Sequence, residues 1–77
     1  MRIISQSETV DVPYESVVLF ADNVGAVHCK FGGESFRMGL YSSKQDAKAV
    51  MKMVRDAYDN AYEMFQLPKR EDVKVDE

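Results

Sequence analysis

His28 and Cys29 stand side by side and are the residues best suited to nucleophilic or metal chemistry; each is the only one of its kind in the chain. Neighbours on a strand point to opposite faces, so the two cannot act on one atom. A zinc site needs about four ligands of the Cys or His type, which one chain cannot supply here. Cys29 therefore reads as a small buried apolar residue. Ser5, Ser7, Ser16, Ser35, Ser42 and Ser43 lack a base, because nothing in the sequence orients the lone histidine. Gly32-Gly33 lacks the Lys-Ser/Thr ending of a phosphate loop and is not followed by a helix. Asp56, Asp59 and Glu63 share an exposed helix face, where carboxylates stay ionised and inert. No catalytic residue, metal site or cofactor is assigned, and the expectation is a protein that is not an enzyme.

Binding chemistry is more plausible, and two surfaces compete. The first is acidic. Residues 1–55 hold seven basic and six acidic side chains, whereas residues 56–77 hold three basic and seven acidic. Asp56, Asp59 and Glu63, extended by Glu71, Asp72, Asp76 and Glu77, form an acidic strip with Tyr62 and Met64 as apolar contacts. Carboxylates at the C-terminal end of a helix, and Lys44 and Lys48 at its start, oppose the helix dipole at a cost of about 0.3–1 kcal/mol each. A basic partner would explain why they are kept. The second surface is cationic: Arg2, His28, Lys30 and Arg37 could receive an anionic nucleotide. The net charge of -3 argues against general binding to a phosphate backbone, so direct nucleic-acid binding is not expected.

These side chains need elements to hold them. Arg2 to Ser5, Thr9 to Val12 and Ser16 to Ala21 read as short strands, with Pro13 either ending the second or placing it at an edge. Val17, Val18, Leu19 and Phe20 are apolar on both faces, which predicts cover on both. Asp22 to Gly25 is a turn: a three-residue loop with Gly25 at positive φ, or a two-residue loop on Asn23-Val24, the choice deciding whether Val18 or Leu19 faces inward. Around Gly32-Gly33, a two-residue loop sets Cys29 opposite Phe36 and Val27 opposite Met38 on one face. It sets His28 opposite Arg37 and Lys30 opposite Ser35 on the other. Ser42 and Ser43, with Gln45 and Asp46 three residues on, start a helix that runs to Phe65 and stops before Pro68.

Along that helix Ala47, Met51, Val54, Tyr58, Ala61 and Phe65 form one apolar row. Val50, Met53, Ala57 and Met64 form a second row, which suggests self-association into a homodimer or higher oligomer, or a partner's cover. The expected core adds Ile3, Val10, Val18 or Leu19, Phe20, Val27, Cys29, Phe36, Met38 and Leu40 to the first row. The expected fold is α+β: a small antiparallel sheet of four or five short strands with one C-terminal helix packed on it. Residues 1–68 make this single domain, and 69–77 a charged, mobile tail in which Val73 and Val75 could add a short strand.

A chain of 77 residues buries only about 60% of its unfolded surface, a size at which oligomerisation is a common remedy. No apolar run approaches the roughly 18 residues that span a bilayer, and Met-Arg-Ile-Ile-Ser-Gln lacks the apolar stretch of a signal peptide. The expected location is the cytoplasm, without membrane attachment.

Arg2-Ile3-Ile4-Ser5-Gln6, Asp11-Val12-Pro13-Tyr14-Glu15 and Tyr41-Ser42-Ser43 leading into Ala47, Val50, Met51, Val54-Arg55 and Tyr58 carry a resemblance, closed by Phe65-Gln66-Leu67-Pro68 and an acidic tail. The chain resembles a family of short, mostly uncharacterised proteins of phages and mobile elements in Gram-positive bacteria. Its middle is shorter, with the Gly32-Gly33 hairpin where the family is longer and more variable. The resemblance supplies no catalytic residues. It implies setting only, a gene expressed from a phage or prophage in a bacterial cytoplasm. By analogy with other small phage proteins, the expectation is a non-enzymatic accessory protein that binds and inhibits a host protein such as a component of an anti-phage defence system, as anti-CRISPR proteins do. The alternatives are an oligomeric sponge for an anionic signalling nucleotide and a phage structural or assembly protein.

Overall fold

The computed structural model describes residues 1–73. Strands β1 (Arg2–Ile4), β2 (Asp11–Pro13), β3 (Val18–Ala21), β4 (Ala26–Phe31) and β5 (Glu34–Leu40) precede helix α1 (Lys44–Asp59), and strand β6 (Met64–Gln66) follows it. The class is α+β, but the expected single sheet is two three-stranded sheets, ordered β2-β1-β6 and β3-β4-β5. Pro13 has no N–H to continue a ladder, and Tyr14–Ser16 coils into a single 3-10 turn. That break separates β2 from β3. The β1–β6 pairing is parallel, which an all-antiparallel meander does not include.

The β4–β5 hairpin follows the expected register at His28–Arg37, Cys29–Phe36 and Lys30–Ser35. Gly32 and Gly33 take φ of 62° and 83°, the turn that matches strand twist. Val27 pairs with Gly39, not Met38, because a bulge lies between Val27 and His28. The β3–β4 loop is the three-residue form. Leu19 pairs with buried Cys29, so Leu19 faces inward and Val18 outward. The outer face of β3 is not covered: Val18 is 61% exposed.

Helix α1 begins as its sequence dictates, with Ser43 Oγ accepting the Asp46 N–H at 3.1 Å. It ends earlier than the apolar row suggests. Asn60 caps it, Ala61 adopts φ 60°, the Ala61 N–H donates to the Tyr58 carbonyl (3.0 Å) and the Tyr62 N–H to the Ala57 carbonyl (3.0 Å). This pair of bonds is a Schellman motif with alanine where glycine is usual. Beyond it Phe65 and Leu67 follow strand alternation: the Arg2 N–H donates to the Glu63 carbonyl (3.0 Å) and the Leu67 N–H to the Ile4 carbonyl (2.9 Å).

The buried face of α1 is Ala47, Val50, Val54 and Ala57. Small and β-branched side chains seat the helix close to β3 and β4, and the larger Met51 and Tyr58 are left at the rim. Val50 and Ala57, expected on a free row, are core residues of their own domain. Met53 and Met64 stay exposed, but on different elements. Tyr58, Ala61, Leu40 and Phe20 lie outside the buried core expected of them.

Tyr41 ties the parts together. Its N–H donates to the Gly25 carbonyl (2.8 Å), its ring packs over Gly39, and its buried hydroxyl donates to the Pro68 carbonyl (2.8 Å). Burial pushes its phenol up to about 12, so the group remains a neutral donor. The Gln6 side chain donates to the same Pro68 carbonyl at 3.3 Å. Buried Ser5 accepts the N–H groups of Thr9 and Val10 (3.2 and 3.1 Å), which closes the β1–β2 turn. The chain beyond Pro68 packs as far as Val73, which is buried in the core, and Arg70 donates to Ser42 Oγ at 3.1 Å. The expected tail boundary falls inside this packed stretch. Val75, Asp76 and Glu77 lie outside the described residues.

Two substitutions test this framework by urea denaturation. Ala61→Gly relieves the left-handed alanine and should stabilise by about 0.5–1 kcal/mol. At Gly25 (φ 97°) a Cβ would meet the carbonyl oxygens of Tyr41 and Ser43 at 2.6 and 2.8 Å. Gly25→Ala should therefore cost more than about 2 kcal/mol.

Candidate functional site

The reversal at Ala61 folds the chain after α1 back along the helix and opens a shallow groove of about 210 Å³. Met53, Asp56 and Ala57 form its helical wall, and Asn60, Tyr62 and Phe65 the returning one. Asp56 and Tyr62, expected together on a partner-binding face, do meet here. Tyr62 is 56% exposed. Asp59 sits one helical turn on from Asp56, so their carboxylates are neighbours on the helix surface. Lys52 donates to Asp56 at 3.2 Å, an exposed i,i+4 pair that leaves the carboxylate accessible.

Glu63 and Met64 do not join this face through a helix, as their spacing suggested. Glu63 follows the helix end, where its carbonyl receives the Arg2 N–H. Met64 lies on β6, where alternation directs it away from the side taken by Phe65. Met53 and Ala57, assigned by spacing to self-association, instead line the groove. Asn60 and Phe65 were missed as groove residues. Asn60-Ala61 held the available signal, since asparagine is favoured at helix ends.

The cationic set is divided. His28, Lys30 and Arg37 share the outer face of the β3-β4-β5 sheet, as their register requires. Arg2 belongs to the other sheet, where its guanidinium grips both carboxylate oxygens of Asp11. His28 Nε2 lies 2.9 Å from Asp22 Oδ2, and the imidazole stacks on Phe20 with ring centres 5.1 Å apart. Asp22 Oδ1 also accepts the N–H groups of Val24 and Ala26 (3.0 and 2.9 Å), so this carboxylate builds the β3–β4 turn. Cys29 is fully buried on the opposite face, and burial pushes its thiol up.

A larger cleft, about 460 Å³, lies between β3 and α1. Tyr14 and Tyr58 pack at 4.8 Å on its wall, with Leu19, Met51 and Arg55 nearby. Glu15 borders it and receives the Met1 ammonium at 2.7 Å. Among the described residues no three His, Cys, Asp or Glu side chains are grouped to hold a metal ion, and no helix is long and apolar enough to cross a membrane. Compared with protein-family models, curated proteins and solved structures, the chain matches none.

The Asp22 cluster has a pH signature. The His28 contact, with the Ala26 N–H, holds the Asp22 carboxyl below its usual range. A depressed carboxyl stabilises the fold above its unfolded pKa of about 3.9, and that contribution is lost as pH falls through the lower folded value. Asp22→Asn should therefore be less stable than the parent chain near neutrality, and the gap should close in acid. Urea midpoints measured from neutral pH into the acid limb check this.

Proposed function

We propose that the protein is a non-enzymatic binding protein, made by a phage or prophage, that inhibits a host factor by docking the α1–β6 groove onto it. The observation that carries this reading is the exposed Tyr62 and Met53 beside Asp56 around one groove, with Asp59 one helical turn on from Asp56 outside it. An aromatic anchor rimmed by charge is the composition of a protein-binding hot spot. The last turn of α1 contains no basic residue, so its carboxylates oppose the helix dipole. A basic partner surface would offset that cost and gain from the acidic rim. A site on a DNA- or RNA-handling component of an anti-phage defence system has this character, and the resemblance to phage proteins points to the same setting.

A nucleotide sponge is the weaker reading. Arg2 faces Asp11 on the other sheet, and Asp22 lies against His28, which offsets positive charge in the remaining trio.

The test is phage plating on bacterial strains that each carry one defence system, with and without the protein. Expression should restore plating in a strain whose defence it blocks. Asp56→Lys/Asp59→Lys and Tyr62→Ala, each with an unchanged circular dichroism spectrum, should abolish the effect. For Tyr62→Ala the expected loss in binding the purified target is about 2 kcal/mol or more. Relief of no system, or full activity of both variants, would contradict the proposal.

A further inference from the structure

Four strands stand at sheet edges: β2, β6, β3 and β5. Edge strands present unpaired N–H and C=O groups, and proteins blunt them with charge, proline, shortness or a covering segment. Strand β2 has Asp11 and Pro13, and β6 is three residues long. Strand β5 has Glu34 and Arg37, and Gln6 covers its far end. The Gln6 N–H donates to the Met38 carbonyl (2.7 Å), and its side-chain oxygen accepts the Leu40 N–H (3.2 Å).

Strand β3, four residues long and continued by extended Val17, has no charge, proline or covering segment. Val17 to Ala21 is wholly apolar. The Asp22 N–H donates across to the Ala26 carbonyl (3.0 Å), and strand alternation then turns the backbone groups of Phe20 and Val18 toward β4. Those of Leu19 and Ala21 face the free edge, and no backbone group outside the β3–β4 ladder bonds to them among the described residues.

We propose that this edge is occupied by β3 of a second copy, paired antiparallel about a two-fold axis at Leu19. Opposed residues in an antiparallel pair share a face, so the axis must pass through a residue. At Leu19 it makes the two Leu19 residues a hydrogen-bonded pair. It also sets Val18 beside Phe20 of the copy on the outer face and Val17 beside Ala21 on the inner. Every opposed pair is apolar, exposed Val18 gains cover, and the two sheets become one of six strands.

The edge carries no charge between Val17 and Ala21, which suits a copy of the same apolar strand better than a foreign strand of strong single sign. Glu15 at the rim of the adjoining cleft already receives the Met1 ammonium, so self-pairing sets no unpaired carboxylate against the copy there. A standard interface takes about 800 Å² from each partner, a large share of a surface of 5132 Å². A five-residue edge with its cleft rim supplies less, so the dimer is reversible. This surface differs from the α1–β6 groove, and the inference does not depend on the function assigned to that groove.

Light scattering and amide hydrogen exchange across a dilution series test it. Mass should rise from monomer to dimer with concentration, and the Leu19 and Ala21 amides should gain protection in step. Val18→Glu places a carboxylate opposite Lys30 within the monomer, a compatible cross-strand pair, but against Phe20 of the copy in the dimer. It should raise the dimer dissociation constant by about tenfold to a hundredfold while thermal unfolding of the monomer is unchanged. A monomer at every concentration would overturn the proposal. So would a dimer that leaves the Leu19 amide freely exchanging, or a foreign strand as the sole means of protecting it. If Val18→Glu fails to fold, the exchange pattern of the parent chain decides alone.

Discussion

The reversal of the chain at Asn60–Tyr62 is the constraint on which everything after α1 depends. Two crossed hydrogen bonds close the helix and hold Ala61 in the left-handed region, against the preference of an L-residue. What offsets that strain is the strand that follows. Phe65 comes to lie beside Ile3 in the β1–β6 ladder, and Leu67 and Val73 are delivered to the core. Without the reversal, β1 would become an edge strand and Tyr41 would lose the Pro68 carbonyl. The groove exists for the same reason, since its two walls are the last turns of α1 and the chain that doubles back from them.

A domain of this size has little stability to spare, and its fold is held by a few couplings between distant segments. Tyr41 is the densest of them, linking the β3–β4 turn through Gly25, strand β5 through Gly39, and the C-terminal segment through Pro68. Gln6 adds a second link between the sheets, reaching Leu40 and Pro68 with one side chain. Both act at the seam between the two sheets, where no continuous ladder runs. The α1 face that completes the core, Val50 and Val54 among it, contributes about 1.5–3 kcal/mol per buried valine.

Local chemistry was legible in the sequence where one element determines it. The Gly32-Gly33 hairpin, its three polar or apolar pairs, the Ser43 cap and the inert buried Cys29 all follow from turn residues, alternation and capping. What misled was a coincidence of period. Ala61 and Phe65 continue the four-and-three spacing of α1, while Phe65 and Leu67 also satisfy the two-residue spacing of a strand. Pairing with β1 settles that ambiguity, and β1 lies some sixty residues away, beyond the reach of a local pattern (Leu67 to Ile4 spans most of the domain). The same displacement separated Met64 from Asp56. Arg2 was misplaced for a related reason: nothing local shows that Pro13 divides the strands between two sheets.

The central claim is that the helix stops at Asn60 and the chain returns as a strand beside β1. Nuclear magnetic resonance addresses it directly, through the backbone coupling at Ala61 and the cross-strand contacts between residues 2–4 and 64–66. The account predicts a positive φ at Ala61, extended-strand chemical shifts for Met64–Gln66, and backbone contacts between β1 and β6. Helical shifts running without interruption from Lys44 through Phe65, with no contacts to β1, would contradict it and remove the groove.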